Sequence, residues 1–147
     1  MTMSMTRVQA ANLIVHARTI WPRQLTDLPD TAAQVWQEVL DGVEFEDAMT
    51  ALTGLARSED WFTLAKLIAA VKAMRSRRLA SVPIDPGALP VDPDDTAHWR
   101  AEYAHVRELV AAGVMDADGW RAYVAAGIPL TDAPRAIGSA PQSRPGR

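Results

Sequence analysis

Hydrophobic and polar residues follow one another along most of this chain with the spacing of an α-helix. The clearest case lies between residues 32 and 40, where apolar side chains recur every three or four positions and polar side chains fill the remainder. Such a stripe predicts a helix that turns one face toward a core. No stretch alternates with a period of two for long enough to predict a strand. The pattern therefore predicts an all-α protein.

Six helices are predicted, and residues that cap or stop a helix mark their ends. Pro22 stops the first helix and Gly42 the second, while Gly113 and Gly127 stop the last two. Thr96 is suited to cap the fifth helix. The predicted helices cover residues 10–21, 32–40, 45–55, 62–78, 96–113 and 116–126.

Proline divides the chain into regions. Pro83, Pro86, Pro90 and Pro93 fix φ and lack an N–H donor, so residues 81–95 are predicted to be an extended linker. Residues 1–80 are predicted to form a compact four-helix domain, and residues 96–127 a short helical hairpin. Residues 128–147 are rich in Gly, Ser, Ala and Pro and are predicted to be a disordered tail.

Composition narrows the possible functions. The chain carries 15 basic and 18 acidic residues, a net charge of −3, and no Cys. A stand-alone nucleic-acid binder needs a positive excess, so DNA contact is expected to be weak or absent. No apolar run approaches the roughly 20 residues that span a bilayer, and the first residues do not form a signal peptide. We expect no membrane association and a cytoplasmic location.

Motifs for catalysis or for cofactors are not found in the sequence. Neither Lys66 nor Lys72 follows a Gly, as a phosphate-binding loop requires, and no nucleophile elbow is present. His98, Glu102 and His105 share one face of a predicted helix, but a fourth metal ligand is lacking, so we interpret this face as a partly solvated helix edge. We expect a protein without catalytic residues, cofactor or metal.

The fourth predicted helix carries the basic cluster of the chain. Opposite its apolar stripe lies a surface of small and basic residues, which is interpreted as a candidate for partner contact or, alternatively, as a solvated face. The partner-binding candidates here are Lys66, Ala69, Ala73 and Arg77, and the possible DNA contacts are Arg75, Arg77 and Arg78.

The tryptophans separate into core and binding candidates. Trp21 and Trp36 have helical spacing typical of the core. Trp99, Tyr103 and Trp120 lie in a segment too short to build a full core, so they are predicted as anchors for a partner. The alternative is that these aromatic residues pack back onto the first domain.

Several short motifs between residues 8 and 78 resemble the phage replicative helicase loader/inhibitor family. The shared features are an aromatic-Pro helix end, a Trp in mid-helix followed by Leu, an aromatic residue and an Ala that open the next helix, and a Trp-Phe pair that begins a helix with a basic end. In this chain they are Trp21-Pro22, Trp36 with Leu40, Phe45 with Ala48, and residues 61–68. The chain departs from the family pattern at Thr63 and Lys66.

The resemblance implies a function. Members of the family are small helical proteins without ATPase activity that bind the hexameric replicative helicase and hand it to the phage origin complex. It implies a non-enzymatic adaptor in the host cytoplasm that loads or inhibits the helicase and also meets a phage origin-binding protein. Two alternatives stay open: a small helical DNA-binding regulator, and a structural or assembly protein of a phage particle.

Overall fold

The computed structural model describes residues 4–132, and over these residues the fold contains helices and no β-strand. The prediction of an all-α fold is confirmed for this part of the chain. None of the helices in residues 4–132 is long and apolar enough to cross a membrane. The elements in chain order are α1 (Arg7–Ile20), α2 (Pro22–Leu25), α3 (Ala32–Val39), α4 (Phe45–Ser58), α5 (Leu64–Ser81), a 3-10 turn (Pro86–Ala88), α6 (Thr96–Ala111) and α7 (Ala117–Ala126).

The helix ends reflect local sequence signals. Thr6 and Gln9 form a reciprocal capping box that starts α1. Pro22 stops α1 but also begins α2, a single turn that the apolar pattern did not predict, because Pro is favoured at the first position of a helix. Gly127 ends α7 with a φ of 65°, a left-handed conformation that a residue without Cβ adopts at little cost.

A first hydrophobic cluster is built by α1 to α5. At its centre Phe62 lies between two tryptophans, with ring centroids 5.0 Å from Trp21 and 5.4 Å from Trp36. Both tryptophans are buried, so their predicted place in the core is confirmed. The fully buried leucines of this cluster are Leu13, Leu40, Leu52 and Leu67.

Residues 82–89 pack against α6 and α7, which corrects the prediction of an extended linker for this part of residues 81–95. Val82, Leu89 and Val91 are buried. The prolines do exclude long helix and strand here, but the apolar residues between them bury surface on α6 and α7. The second hydrophobic cluster consists of the buried residues Val82, Leu89, Val106, Val110, Trp120 and Tyr123.

Helix α5 joins the two clusters through Arg78. Its guanidinium donates to both oxygens of the buried Asp47 on α4, at 2.7 and 2.9 Å, and to the carbonyl oxygen of Ala111 on α6, at 2.9 Å. The hydrogen bonds with Asp47 raise the pKa of Arg78. Gly113, with a φ of 80°, lets the chain turn where a Cβ would lie 3.3 Å from Arg78 Nε. One cation thus connects α4, α5 and α6.

The segment that follows α7 is also held in place. The N–H groups of Leu130 and Thr131 donate to Glu102 on α6 at 2.7 and 2.9 Å. The predicted disordered tail began at residue 128, and for residues 128–132 that prediction is corrected, because these hydrogen bonds fix the backbone. The rest of the predicted tail, residues 133–147, lies outside the described residues.

Candidate functional site

A groove with a volume of about 580 Å³ lies between α5 and α6 and is the main candidate site. The residues of each wall are three or four positions apart, so each set occupies one face of its helix. We call this feature the α5–α6 groove. Its α5 wall is formed by Lys72, Arg75, Ser76 and Leu79, and its α6 wall by Tyr103, Ala104, Arg107, Glu108 and Ala111.

Charged side chains surround the groove. Arg75 donates to both carboxylate oxygens of Glu108 at 2.7 Å, which ties the two walls together. The Arg107 guanidinium lies 5.6 Å from the centroid of the Tyr103 ring, within cation–π distance. Lys72 and Arg107 are both exposed. The rim of the groove is therefore cationic in a chain whose net charge is −3.

Of the three aromatic residues predicted as anchors, Tyr103 lines the groove. Trp99 stacks on Tyr103 at a centroid distance of 5.3 Å, and its Nε1–H donates to the carbonyl oxygen of Pro86. Trp120 is only 5% exposed and packs inside the second cluster with Tyr123. Trp120 is therefore a core residue in this structure, which corrects its placement among the partner-binding anchors.

The predicted partner-binding residues of α5 separate into two places. Lys66 lies in the first turn, where its Nζ donates to the carbonyl oxygen of Trp61 at 2.8 Å and to Glu59 at 3.2 Å. Ala69, Ala73 and Arg77 are exposed. Ala73 and Arg77 follow the groove residues Lys72 and Ser76 by one position, which turns them about 100° away around α5, so they lie on a different exposed face of the helix and do not line the groove. Lys66 lies at the other end of the helix.

The predicted DNA-contact cluster is largely engaged in internal contacts. Arg75 is paired with Glu108, and Arg78 is paired with Asp47. These two guanidinium groups hold helices together, and of the three predicted residues Arg77 is the exposed one. The prediction of a basic surface patch for DNA contact is therefore corrected, because Arg75 and Arg78 pair with carboxylates inside the fold.

An exposed tryptophan marks a second candidate surface. Trp61 is 61% exposed, although its neighbour Phe62 is in the core. Gln24 accepts from the Phe62 N–H at 2.8 Å and Trp21 Nε1–H donates to the Glu59 carbonyl oxygen at 3.1 Å, so the loop before α5 is fixed and directs Trp61 outward. A hollow of about 310 Å³ adjoins it, lined by Ile20, Trp21, Pro22, Arg23, Gln24, Asp60 and Trp61.

Glu102 is fully buried, which corrects its interpretation as part of a partly solvated helix edge, whereas His98 and His105 are half-buried as that interpretation expected. It accepts from the Tyr123 hydroxyl at 2.5 Å, and its oxygens also receive Leu130 N–H and both donors of Thr131. Within residues 4–132 no group of three or more potential ligands is arranged to hold a metal ion. The Glu102 carboxylate instead holds the segment after α7 against α6.

The environment of Glu102 has a defined effect on its ionisation. Burial alone would raise its pKa, but the hydrogen bonds from Leu130, Thr131 and Tyr123 together outweigh burial and hold the pKa below its ordinary value. Burial and the same hydrogen bond raise the pKa of the Tyr123 phenol. The fold therefore stabilises Glu102 in its ionised form and Tyr123 in its neutral form.

Lys72 and Arg107 were not predicted as binding residues from the sequence, and Glu102 was considered only as a potential metal ligand. Arg107 follows Tyr103 by four positions, and this spacing was a usable signal that the two share a helix face. The role of Glu102 had no local signal, since its backbone donors come from residues 28 and 29 positions away.

Comparisons with known proteins add no relative. The chain matches no protein-family model, and no similar curated protein or solved structure was found.

Proposed function

We propose that this chain is a non-enzymatic adaptor of phage DNA replication that binds a hexameric replicative helicase and loads or inhibits it. A phage origin-binding protein is the proposed second partner, and the site of action is the host cytoplasm. The α5–α6 groove is the proposed helicase contact, with Tyr103 as a contact residue, and the separate exposed face of α5 that carries Ala73 and Arg77 is a second proposed contact.

One observation carries this proposal. The sequence suggested two separate partner surfaces, the exposed face of α5 and the aromatic residues of the hairpin. Of these residues, Tyr103 lines a groove together with the exposed α5 residues Lys72 and Ser76, whereas the predicted α5 residues Ala73 and Arg77 lie on another face of the helix. Tyr and Arg side chains are enriched at protein–protein contacts and among the residues that carry most of the binding energy there. Trp61, which is exposed within the segment that carries the family resemblance, supports the proposal from a second surface.

The proposal is tested by mixing the purified full chain with purified hexameric replicative helicases from candidate host bacteria. Size-exclusion chromatography with light scattering then gives the mass of any complex. We expect a stable complex with one of these helicases, and a change in the amount of helicase loaded onto single-stranded circular DNA when the chain is added.

The competing functions give different results. A DNA-binding regulator would bind duplex DNA with an affinity that falls steeply with salt, in the absence of helicase. A particle protein would form large assemblies alone. Either of these results, without a helicase complex, would contradict the proposed function.

A further inference from the structure

We propose that the α5–α6 groove receives an acidic amphipathic helix of the partner protein. This inference rests on the proposed function only in treating the groove as the partner contact. It adds the chemistry of the bound segment, which the resemblance does not give.

Charge complementarity is the first argument. Lys72 on one wall and Arg107 on the other are exposed cations. Arg100 precedes Arg107 by seven residues, lies on the same face of α6 and is also exposed. The acidic residue of the groove, Glu108, is held by Arg75 through both of its oxygens. A segment that enters between these cations gains most if it carries carboxylates along both edges.

The lining of the groove is the second argument, because it favours a protein helix over a nucleic acid. Leu79 and the Tyr103 ring supply apolar surface, which a phosphate backbone does not match but apolar side chains do. Ser76, Ala104 and Ala111 are small, so a helix backbone is able to approach α5 and α6 closely. Two adjacent helices present the ridges against which a third helix packs, at roughly 8–10 Å between axes.

The experiment uses the full chain and a fluorescent synthetic peptide of about 18 residues, since isolated helices shorter than roughly 12–15 residues are marginal in water. Leu and Ala form one face of the peptide and Glu forms the other. A second peptide replaces every Glu by Gln, and a single-stranded oligonucleotide of similar length is the third probe. Fluorescence anisotropy measures binding at low and high salt.

The variants are Lys72→Glu, Arg107→Glu and the double change, with Arg57→Glu as the matched control. Arg57 is exposed in the last turn of α4. The first turn of α4 carries Asp47, which binds Arg78 of α5 beside the groove, so Arg57 lies at the end of α4 away from the groove. We expect the double variant to bind the Glu peptide at least about tenfold more weakly and the control to bind as the wild type does. Circular dichroism verifies that each variant keeps its helices.

Four results would overturn the inference: no binding of the Glu peptide, equal binding of the Gln peptide, an unchanged affinity in the double variant, or preference for the oligonucleotide. The proposed function is tested separately with the helicase hexamer. A helicase complex that the double variant retains at full affinity would refute the acidic helix but not the adaptor. Groove-dependent binding of the Glu peptide, without any helicase complex, would support the acidic helix and refute the adaptor.

Discussion

Replacing Glu102 by Gln should release the segment that follows α7. The carboxylate receives four hydrogen bonds, from the Tyr123 hydroxyl, the Leu130 N–H and the N–H and hydroxyl of Thr131. A Gln keeps one acceptor oxygen and directs an NH₂ group toward donors, so about two donors lose their partner. At roughly 1–3 kcal/mol for each unsatisfied buried donor, and with part recovered by water, the cost is about 2–4 kcal/mol.

Hydrogen exchange measured by NMR detects this loss at the amides concerned. A cost of about 2–4 kcal/mol corresponds to exchange that is about 30 to 700 times faster at Leu130 and Thr131, because these amides exchange through local opening. Thr131→Val is the matched control, since it removes one hydroxyl donor and keeps both N–H groups. We expect it to accelerate exchange much less than Glu102→Gln.

The pH dependence follows from the lowered pKa of Glu102. Because the pKa of Glu102 is lower in the folded state, its hydrogen bonds to Leu130, Thr131 and Tyr123 stabilise the folded segment fully above the unfolded pKa of about 4.3. That stabilisation is lost as pH falls through the folded pKa. Protection factors at Leu130 and Thr131 should therefore decrease below about pH 4 in the wild type, and Glu102→Gln should lack that step. Wild-type protection in Glu102→Gln at neutral pH would refute the reasoning.

Three further predictions concern the two hydrophobic clusters. Trp36→Ala should lower the free energy of unfolding by roughly 3–5 kcal/mol in urea titrations, because it empties a buried site against Phe62; an unchanged unfolding midpoint would place Trp36 outside the core. Arg78→Gln should lower the free energy of unfolding by about 2–3 kcal/mol in the same assay, because it leaves the buried Asp47 without its cation; the value is kept low because the Arg78 side chain is 30% exposed. In the double variant, Asp47→Asn should add much less than it costs as a single change. Fully additive costs would argue against the pair. The fragment 1–80 should unfold cooperatively, because it keeps the first cluster, but at a lower temperature than the full chain, because Arg75 loses Glu108 and Arg78 loses the Ala111 carbonyl. A coil-like circular dichroism spectrum would refute an independent first cluster.

Much of the local structure was predictable from the sequence because its causes are local. Apolar spacing and Gly or Pro stops predicted the main helices, and the spacing around Trp36 predicted its burial. The 82–89 segment was misjudged because its prolines exclude long helices and strands but do not indicate that Val82 and Leu89 are buried against α6 and α7. Those apolar residues were the available signal that the segment packs against the hairpin.

The candidate site was only partly predictable because it is formed by contacts between distant segments. Tyr103 was identified from the sequence, but the α5 residues that line the groove with it, such as Lys72 and Ser76, were not, because which face of α5 meets α6 depends on how the two helices pack. Trp120 was misplaced because a large aromatic residue in a short hairpin serves equally well as an anchor or as a core residue. The roles of Arg75 and Arg78 depend on carboxylates more than 30 positions away.

The central claim is that the α5–α6 groove binds a replicative helicase, and the most direct test is to fill the groove. Ala104 is exposed and lines the groove, so Ala104→Trp places a neutral bulky side chain there. Ala122 is exposed on α7, which makes Ala122→Trp the matched control for the cost of Trp in a helix. Biolayer interferometry with the immobilised helicase hexamer measures the affinity of each full-length variant. The account predicts at least about tenfold weaker binding for Ala104→Trp and wild-type binding for Ala122→Trp; wild-type affinity in Ala104→Trp would contradict it.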